Sequence, residues 1–212
     1  MDRKCIFFDL DGTLTDSGEG IINCASFALE QLGLSVPPRE SMRFFVGPPL
    51  NESFPKVGVP ADQVDEAVAL YRKRYVPIGK FENVPYPGIR DMLEALKTQG
   101  HRLFVATSKP EALSIEILEH FGLAGYFELI CGATTDPSRS KKGDVIAYLL
   151  RQVPDAEKIL MVGDTVYDVV GAKEHGIATV GVSWGYGIVA EMIGAGAVAI
   201  ADSPEQLLEI LK

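Results

Sequence analysis

Cys5-Ile6-Phe7-Phe8-Asp9-Leu10-Asp11-Gly12-Thr13-Leu14 carries a hydrophobic segment into two carboxylates on alternate residues and then into a glycine and a hydroxyl. A short apolar run bounded by a turn signal reads as a central strand covered on both faces. Alternation along a strand puts Asp9 and Asp11 on the same side, where the backbone leaves the sheet. Like charges that close raise one another's pKa, so the site either shares a proton or recruits a hard divalent cation with oxygen ligands. Taken alone, the run also fits an Asp-Gly turn that caps a buried strand and leaves both acids solvated.

Outward from this strand, apolar residues recur at helical spacing through Ile21, Ile22, Ala25, Leu29 and Leu32, and the helix stops at Gly33. Further helices fit 49–54 and 61–75, with Pro37-Pro38 and Gly47-Pro48-Pro49 as breaks. No buried strand is expected within 16–83. From Pro87 onward, β-rich runs at 103–106, 128–131, 159–162 and 179–182, and a weaker one at 197–200, alternate with helical segments at 88–99, 111–121, 143–152, 168–175 and 204–211. That alternation predicts an α/β fold: a doubly wound parallel sheet, Rossmann-like, with helices on both faces. Residues 1–15 and 84–212 form the core, and 16–83 form a small all-helical domain inserted after the first strand. In an open α/β sheet the ligand lies outside the carboxyl ends of the strands, and the inserted block is expected to sit there.

Composition narrows the function. The chain has 212 residues, 47% hydrophobic and 23% charged, which suits a folded globular protein. Its net charge of −9 and its lack of long Lys/Arg runs argue against nucleic acid and anionic membrane as partners. No apolar run is long enough to span a bilayer and no leader pattern opens the chain, so a cytoplasmic location is expected. Cys5, Cys24 and Cys131 show no CxxC spacing and read as reduced core residues, and His101, His120 and His175 are too scattered for a metal site.

Three more segments end predicted strands in reactive groups. Thr107-Ser108-Lys109-Pro110 closes a strand in two hydroxyls and opens a helix, which suits either anion binding or an ordinary N-cap. Ser138-Arg139-Ser140-Lys141-Lys142-Gly143-Asp144 brings three cations before a helix, either as a solvated loop or to neutralise a phosphoryl group. Gly163-Asp164-Thr165-Val166-Tyr167-Asp168 ends an apolar strand in one acid and adds another four residues later. Asp164 can reach a cation held by Asp9, and Asp168 can orient a water or a lysine behind it; the alternative is a Gly-Asp turn with Asp168 as a helix cap.

Asp-Leu-Asp-Gly-Thr-Leu-Thr-Asp at 9–16, Thr107, a lysine within 139–142 and Gly-Asp-x-x-x-Asp at 163–168 together resemble, in order and over nearly the whole chain, the four motifs of the haloacid dehalogenase superfamily. The insertion resembles the small C1 cap of phosphoglycolate phosphatase-like members and their 5′-nucleotidase relatives. Asp16-Ser17-Gly18-Glu19-Gly20-Ile21, Val46-Gly47-Pro48-Pro49-Leu50 and Val182-Ser183-Trp184-Gly185-Tyr186-Gly187 resemble that branch as well. The resemblance implies a phosphomonoester hydrolase for a small metabolite, with Asp9 as nucleophile and Asp11 as general acid and then base. Thr107 would bind phosphoryl oxygens, and Lys142 would neutralise charge, with Lys141 open as the other choice. Mg²⁺ would be held by Asp9, the Asp11 backbone carbonyl and Asp164, with Asp168 behind them.

Gly12, Thr13 and Ser108 are the expected substrate contacts on the core; Ser108 stands where many relatives have asparagine. Arg43, with Glu19, Asn51 and Lys56, is the expected contact on the cap. The cap is expected to close and open with hinges near 15–16 and 83–87. A small phosphomonoester is the expected partner, and the chain is expected to be a monomer or homodimer. A phosphotransferase or mutase would share every core motif. A dehalogenase would not need Asp11 or Asp164, and a receiver-like module would carry no insertion. A phosphometabolite-binding regulator without turnover is disfavoured by intact Asp9 and Asp11.

Overall fold

The computed structural model describes residues 3–134 and 136–211. In chain order, β1 (Cys5–Phe8) and the two-residue β2 (Thr15–Asp16) lead into α1 (Gly18–Gln31), α2 (Leu50–Ser53) and α3 (Val64–Tyr75). A second two-residue strand, β3 (Val84–Pro85), returns the chain and pairs with β2. Then follow α4 (Ile89–Thr98), β4 (Arg102–Pro110), α5 (Glu111–His120), β5 (Leu129–Ala133), α6 (Lys142–Gln152), β6 (Ile159–Gly163), α7 (Val166–Lys173), β7 (Ala178–Val182), α8 (Val189–Ala195), β8 (Ala199–Ala201) and α9 (Pro204–Leu211). The chain divides into two compact units, one running to Thr15 and resuming at Pro85, the other spanning Asp16–Val84.

In the larger unit, six parallel strands lie in the order β5-β4-β1-β6-β7-β8. The strand order reverses around β1, which makes its carboxyl end a topological switch point. Register completes the alignment: Phe8 stands opposite Val105 on one side and Val162 on the other, so the residues that follow all three strands emerge side by side. Alternate residues of β1 feed two buried clusters. Ile6 and Phe8 pack with Leu103, Val105 and Val162 on one face, and Cys5 and Phe7 with Phe104, Cys131 and Met161 on the other. The Phe7 and Phe104 rings meet edge-on at 5.4 Å, a favourable arrangement for aromatic pairs.

The smaller unit is helical apart from the strand residues at its ends. Its interior is an aromatic chain: Phe45 on Phe54 at 5.2 Å, Phe54 on Tyr71 at 6.5 Å, and Tyr71 stacked on Tyr75 at 5.2 Å. Arg74 closes it with a two-pronged pair to Glu82, at 2.7 and 2.8 Å. Much of its remainder is 3-10 turn, including Arg39–Phe45, whose Met42 and Phe45 are buried.

Several details depart from the sequence pattern. β4 runs on to Pro110, beyond the expected end at 106, through a bulge. α8 was not expected, because Met192 is its one buried residue and leaves no apolar period to read. β8 begins at Ala199 because α8 ends in left-handed Gly196 and the turn out of it uses Ala197 and Val198. Among the described residues, no helix is long and apolar enough to cross a membrane.

Candidate active site

Beyond Phe8 the backbone holds strand register for one residue, the Asp9 N–H donating to Val162 O at 2.9 Å, and then turns. The N–H groups of Thr13, Leu14 and Thr15 all donate to Leu10 O, and Gly12 sits at a φ of 82°, in the left-handed region where only glycine is unstrained. A Cβ at Gly12 would also run into the Asp164 carboxylate. The tight loop therefore brings the turn after β1 directly against the acid that follows β6.

Four buried groups meet there. Lys142, the first residue of α6, lies 2.8 Å from Asp9 Oδ1 and 2.8 Å from Asp168 Oδ1, and donates to Ala106 O at 2.9 Å. Asp164 Oδ1 accepts from the Thr13 hydroxyl at 3.2 Å, and its Oδ2 from the Tyr186 N–H at 2.8 Å. Asp168, in the first turn of α7, accepts on Oδ2 from the Thr165 N–H and hydroxyl at 3.0 and 2.8 Å. This closes the helix N-terminus while leaving Oδ1 to Lys142. Thr107, buried at the bulge of β4, hydrogen-bonds Asp9.

Charge in this cluster is unbalanced. Burial pushes the Asp9 carboxyl above the ordinary carboxylate range, with Lys142 acting against that shift and Asp168 adding to it. Burial, and then the charges of Asp168 and Asp9, push Asp164 up to about 8. Burial disfavours the Lys142 ammonium, but Asp168 and Asp9 outweigh it and raise its pKa. One oxygen each from Asp9, Asp164 and Asp168 lies within 4.8 Å of the others, an all-oxygen, negatively charged donor set. Such a set fits a hard divalent cation, which would relieve the repulsion that lifts Asp164. Both oxygens of Asp168 are engaged, Oδ1 by Lys142 and Oδ2 by Thr165.

Of the residues singled out in the sequence, Asp9, Asp11, Gly12, Thr13, Thr107, Ser108, Lys142, Asp164 and Asp168 all belong to the larger unit, at or just beyond the carboxyl ends of β1, β4 and β6 or at the start of α6 and α7. Ser108 is half-buried, and Lys141 is exposed, its N–H donating to Asp144 at 3.1 Å. Arg43, Glu19, Asn51 and Lys56 are exposed on the smaller unit, Lys56 with its ammonium over the Phe44 ring at 5.4 Å. Sequence reasoning gave no role to Lys109, whose ammonium donates to Asp11 Oδ2 at 2.7 Å. It singled out Trp184 only as part of the 182–187 stretch and gave it no role; its Nε1 donates to Thr13 O at 3.1 Å and so ties the loop after β7 to the loop after β1.

A family model described as haloacid dehalogenase-like hydrolase matches residues 6–182. The chain is 46% identical over 185 residues to the tyrosine-protein kinase PtkA of Mycobacterium tuberculosis, covering 87% of this chain and 63% of that protein's length. It is 42% identical over 184 residues to a 5′-nucleotidase of Pseudomonas aeruginosa, covering 86% and 83% of the two chains. A solved structure, that of a predicted phosphatase from Clostridium acetobutylicum, superposes with a TM-score of 0.93 at 39% identity, covering 100% of this chain and 99% of that one.

Proposed function

The chain belongs to the haloacid dehalogenase-like hydrolase family, and from that premise we propose that it is a Mg²⁺-dependent phosphomonoester hydrolase. It acts on a small phosphometabolite of the phosphoglycolate or nucleoside monophosphate type, through a phosphorylated Asp9. The observation that carries this reading is the bridge made by Lys142, 2.8 Å from both Asp9 and Asp168 beside Asp164. A buried lysine held charged against a carboxylate is placed to neutralise the phosphoryl oxygens drawn to that carboxylate.

Asp9 attacks phosphorus and the ester P–O bond breaks, while Asp11 gives its proton to the leaving oxygen. Asp11 then takes a proton from water, which attacks the phosphorylated Asp9; the phosphorus–Asp9 oxygen bond breaks and phosphate departs. Thr107 holds the phosphoryl oxygens. Gly12, Thr13 and Ser108 line the substrate from the core. Asp9, the Asp11 backbone carbonyl and Asp164 would hold Mg²⁺, which supplies positive charge to offset that of the phosphoryl group.

The test is phosphate release from a panel of phosphoglycolate, sugar phosphates, nucleoside monophosphates, pyrophosphate and phosphotyrosine peptides, with Mg²⁺ or EDTA, beside Asp9→Asn. Release is expected to need Mg²⁺ and to fall at least about a thousandfold in the variant, as removal of a nucleophile does elsewhere. No release from any compound by folded protein would overturn the hydrolase reading. A second reading, transfer of the phosphoryl group from Asp9 to a hydroxyl acceptor, is favoured by the likeness to a protein named as a tyrosine kinase. Phosphate passing to an added sugar or tyrosine peptide faster than to water would establish it.

A further inference from the structure

Lys109 and Asp11 form the other buried ion pair of the larger unit's site, with side chains 5% and 13% exposed. The lysine reaches Asp11 because β4 bulges. Between Ala106 and Pro110 β4 advances four residues while its neighbour β5 advances two, from Cys131 to Ala133. A bulge of this kind re-aims the side chains it carries.

Its partners are specific. A Cβ at Gly132 would lie 2.5 Å from Lys109 O and 2.6 Å from Glu111 Cα, so the bulge closes only against glycine. The Gly132 N–H donates to Glu111 Oε2 at 3.1 Å, the same oxygen that accepts from Arg139 at 2.8 Å, and the Arg139 guanidinium lies 3.9 Å above the Tyr148 ring. Within the bulge the Lys109 N–H donates to Thr107 Oγ1 at 3.2 Å. One backbone feature thus sets both the hydroxyl that touches Asp9 and the ammonium that touches Asp11.

The two oxygens of Asp11 are not equivalent. Oδ2 is held by Lys109 at 2.7 Å, whereas Oδ1 is buried with no hydrogen-bond partner among the described residues. We infer that Lys109 is a positioning residue for Asp11: it pins Oδ2, fixes the rotamer of the carboxyl group, and leaves Oδ1 to exchange the proton with the leaving oxygen and with water. The inference rests on the hydrolase reading for its consequence and on the ion pair for its geometry, so the two are tested separately. In kcat/KM, which reports the steps up to formation of the phosphorylated Asp9, a misplaced acid slows only those esters whose leaving group needs a proton, because an aryl oxide of low basicity departs without one.

The experiment compares Lys109→Met and Lys109→Arg with the parent protein, by kcat/KM for an alkyl phosphate that the parent cleaves and for p-nitrophenyl phosphate, and by crystal structures of both variants. In Lys109→Met the alkyl kcat/KM is expected to fall roughly tenfold to a hundredfold, and the aryl value less than about threefold, since positioning alone carries up to about two orders of magnitude. Asp11 should leave its rotamer, and Lys109→Arg should recover part of the alkyl rate. An unchanged ratio of alkyl to aryl kcat/KM, or an Asp11 that keeps its rotamer without Lys109, overturns the inference. If Lys109→Met does not fold, Lys109→Ala, which also removes the ammonium, decides by the same two readouts. A parent protein that cleaves neither ester overturns the hydrolase reading, and the Asp11 rotamer then decides the positioning inference by itself.

Discussion

The two ends of the central sheet both gather charge, but they treat it oppositely. At the amino end, Arg102 opens β4 and spreads its guanidinium over Glu128 at 2.7 Å and Asp155 at 3.0 Å, with the Asp155 side chain 73% exposed. At the carboxyl end, Lys142 faces Asp9 and Asp168 at similar distances with its side chain 3% exposed and that of Asp168 fully buried. Water screens the first group, so its contribution to stability is small. The second group has lost that water, and burying its ions costs more than a hydrophobic packing of the same volume would. Such a cluster at the strand ends is therefore not explained by a contribution to stability.

The sharpest way to break this contrast is to remove the buried cation. Lys142→Met leaves Asp9 and Asp168 uncompensated, and removing one member of a buried pair costs about 3–5 kcal/mol. Urea denaturation at neutral pH should show a loss of that size, and Asp168→Asn added to Lys142→Met should recover part of it. A loss below about 1 kcal/mol would mean that water reaches the cluster and that the two ends of the sheet do not differ.

How much of this was legible in the sequence follows from how local each cause is. Cys5 to Leu14 is readable because its apolar run, its alternating acids and its glycine turn all act within ten residues. Asp164 and Asp168 were equally plain, one ending a strand and the other capping the next helix. The spacing of Lys141 and Lys142 left the choice between them open, and only the inward-facing start of α6 separates a buried ammonium from an exposed one. Lys109 was out of reach because its position depends on a bulge closed by Gly132 and Glu111, on β5 and α5, and apolar periodicity ends β4 before the bulge begins. The short α8 and the 3-10 turn at Arg39–Phe45 escaped for a related reason: their one or two buried residues make no period.

A weaker effect sharpens the contrast through pH. Asp164 is pushed up to about 8 from 3.8, so between those values the folded protein binds a proton that the unfolded chain has released. With that sign, the metal-free fold loses stability as pH rises through the window, and a divalent cation that replaces the proton gains most at its upper end. Mg²⁺ at about a hundred times its dissociation constant adds roughly 2.7 kcal/mol, or about 5–10 °C in a protein of this size. Thermal melts should show the full shift near pH 8.5 and a smaller one near pH 6. Equal shifts at both values, or none, would separate the acid cluster from cation binding.

The smallest effect belongs to the amino end. The hydrogen bonds from Arg102 hold the Glu128 carboxyl below its ordinary 4.5, so its contribution is complete above that value and disappears as pH falls through the lower folded value. Glu128 is a third exposed, and Glu128→Gln should therefore cost less than about 1 kcal/mol at pH 7. The cost should shrink in about 1 M salt, where screening acts over roughly 3 Å. It should be smaller at pH 3 than at pH 7, because the contribution declines once the pH falls below the ordinary 4.5 and is gone only below the lowered folded value. Chemical denaturation at the two pH values and the two ionic strengths measures all three differences. A cost above about 2 kcal/mol that salt does not reduce would show that Arg102 is as deeply desolvated as Lys142, and the two ends of the sheet would then share one electrostatic regime.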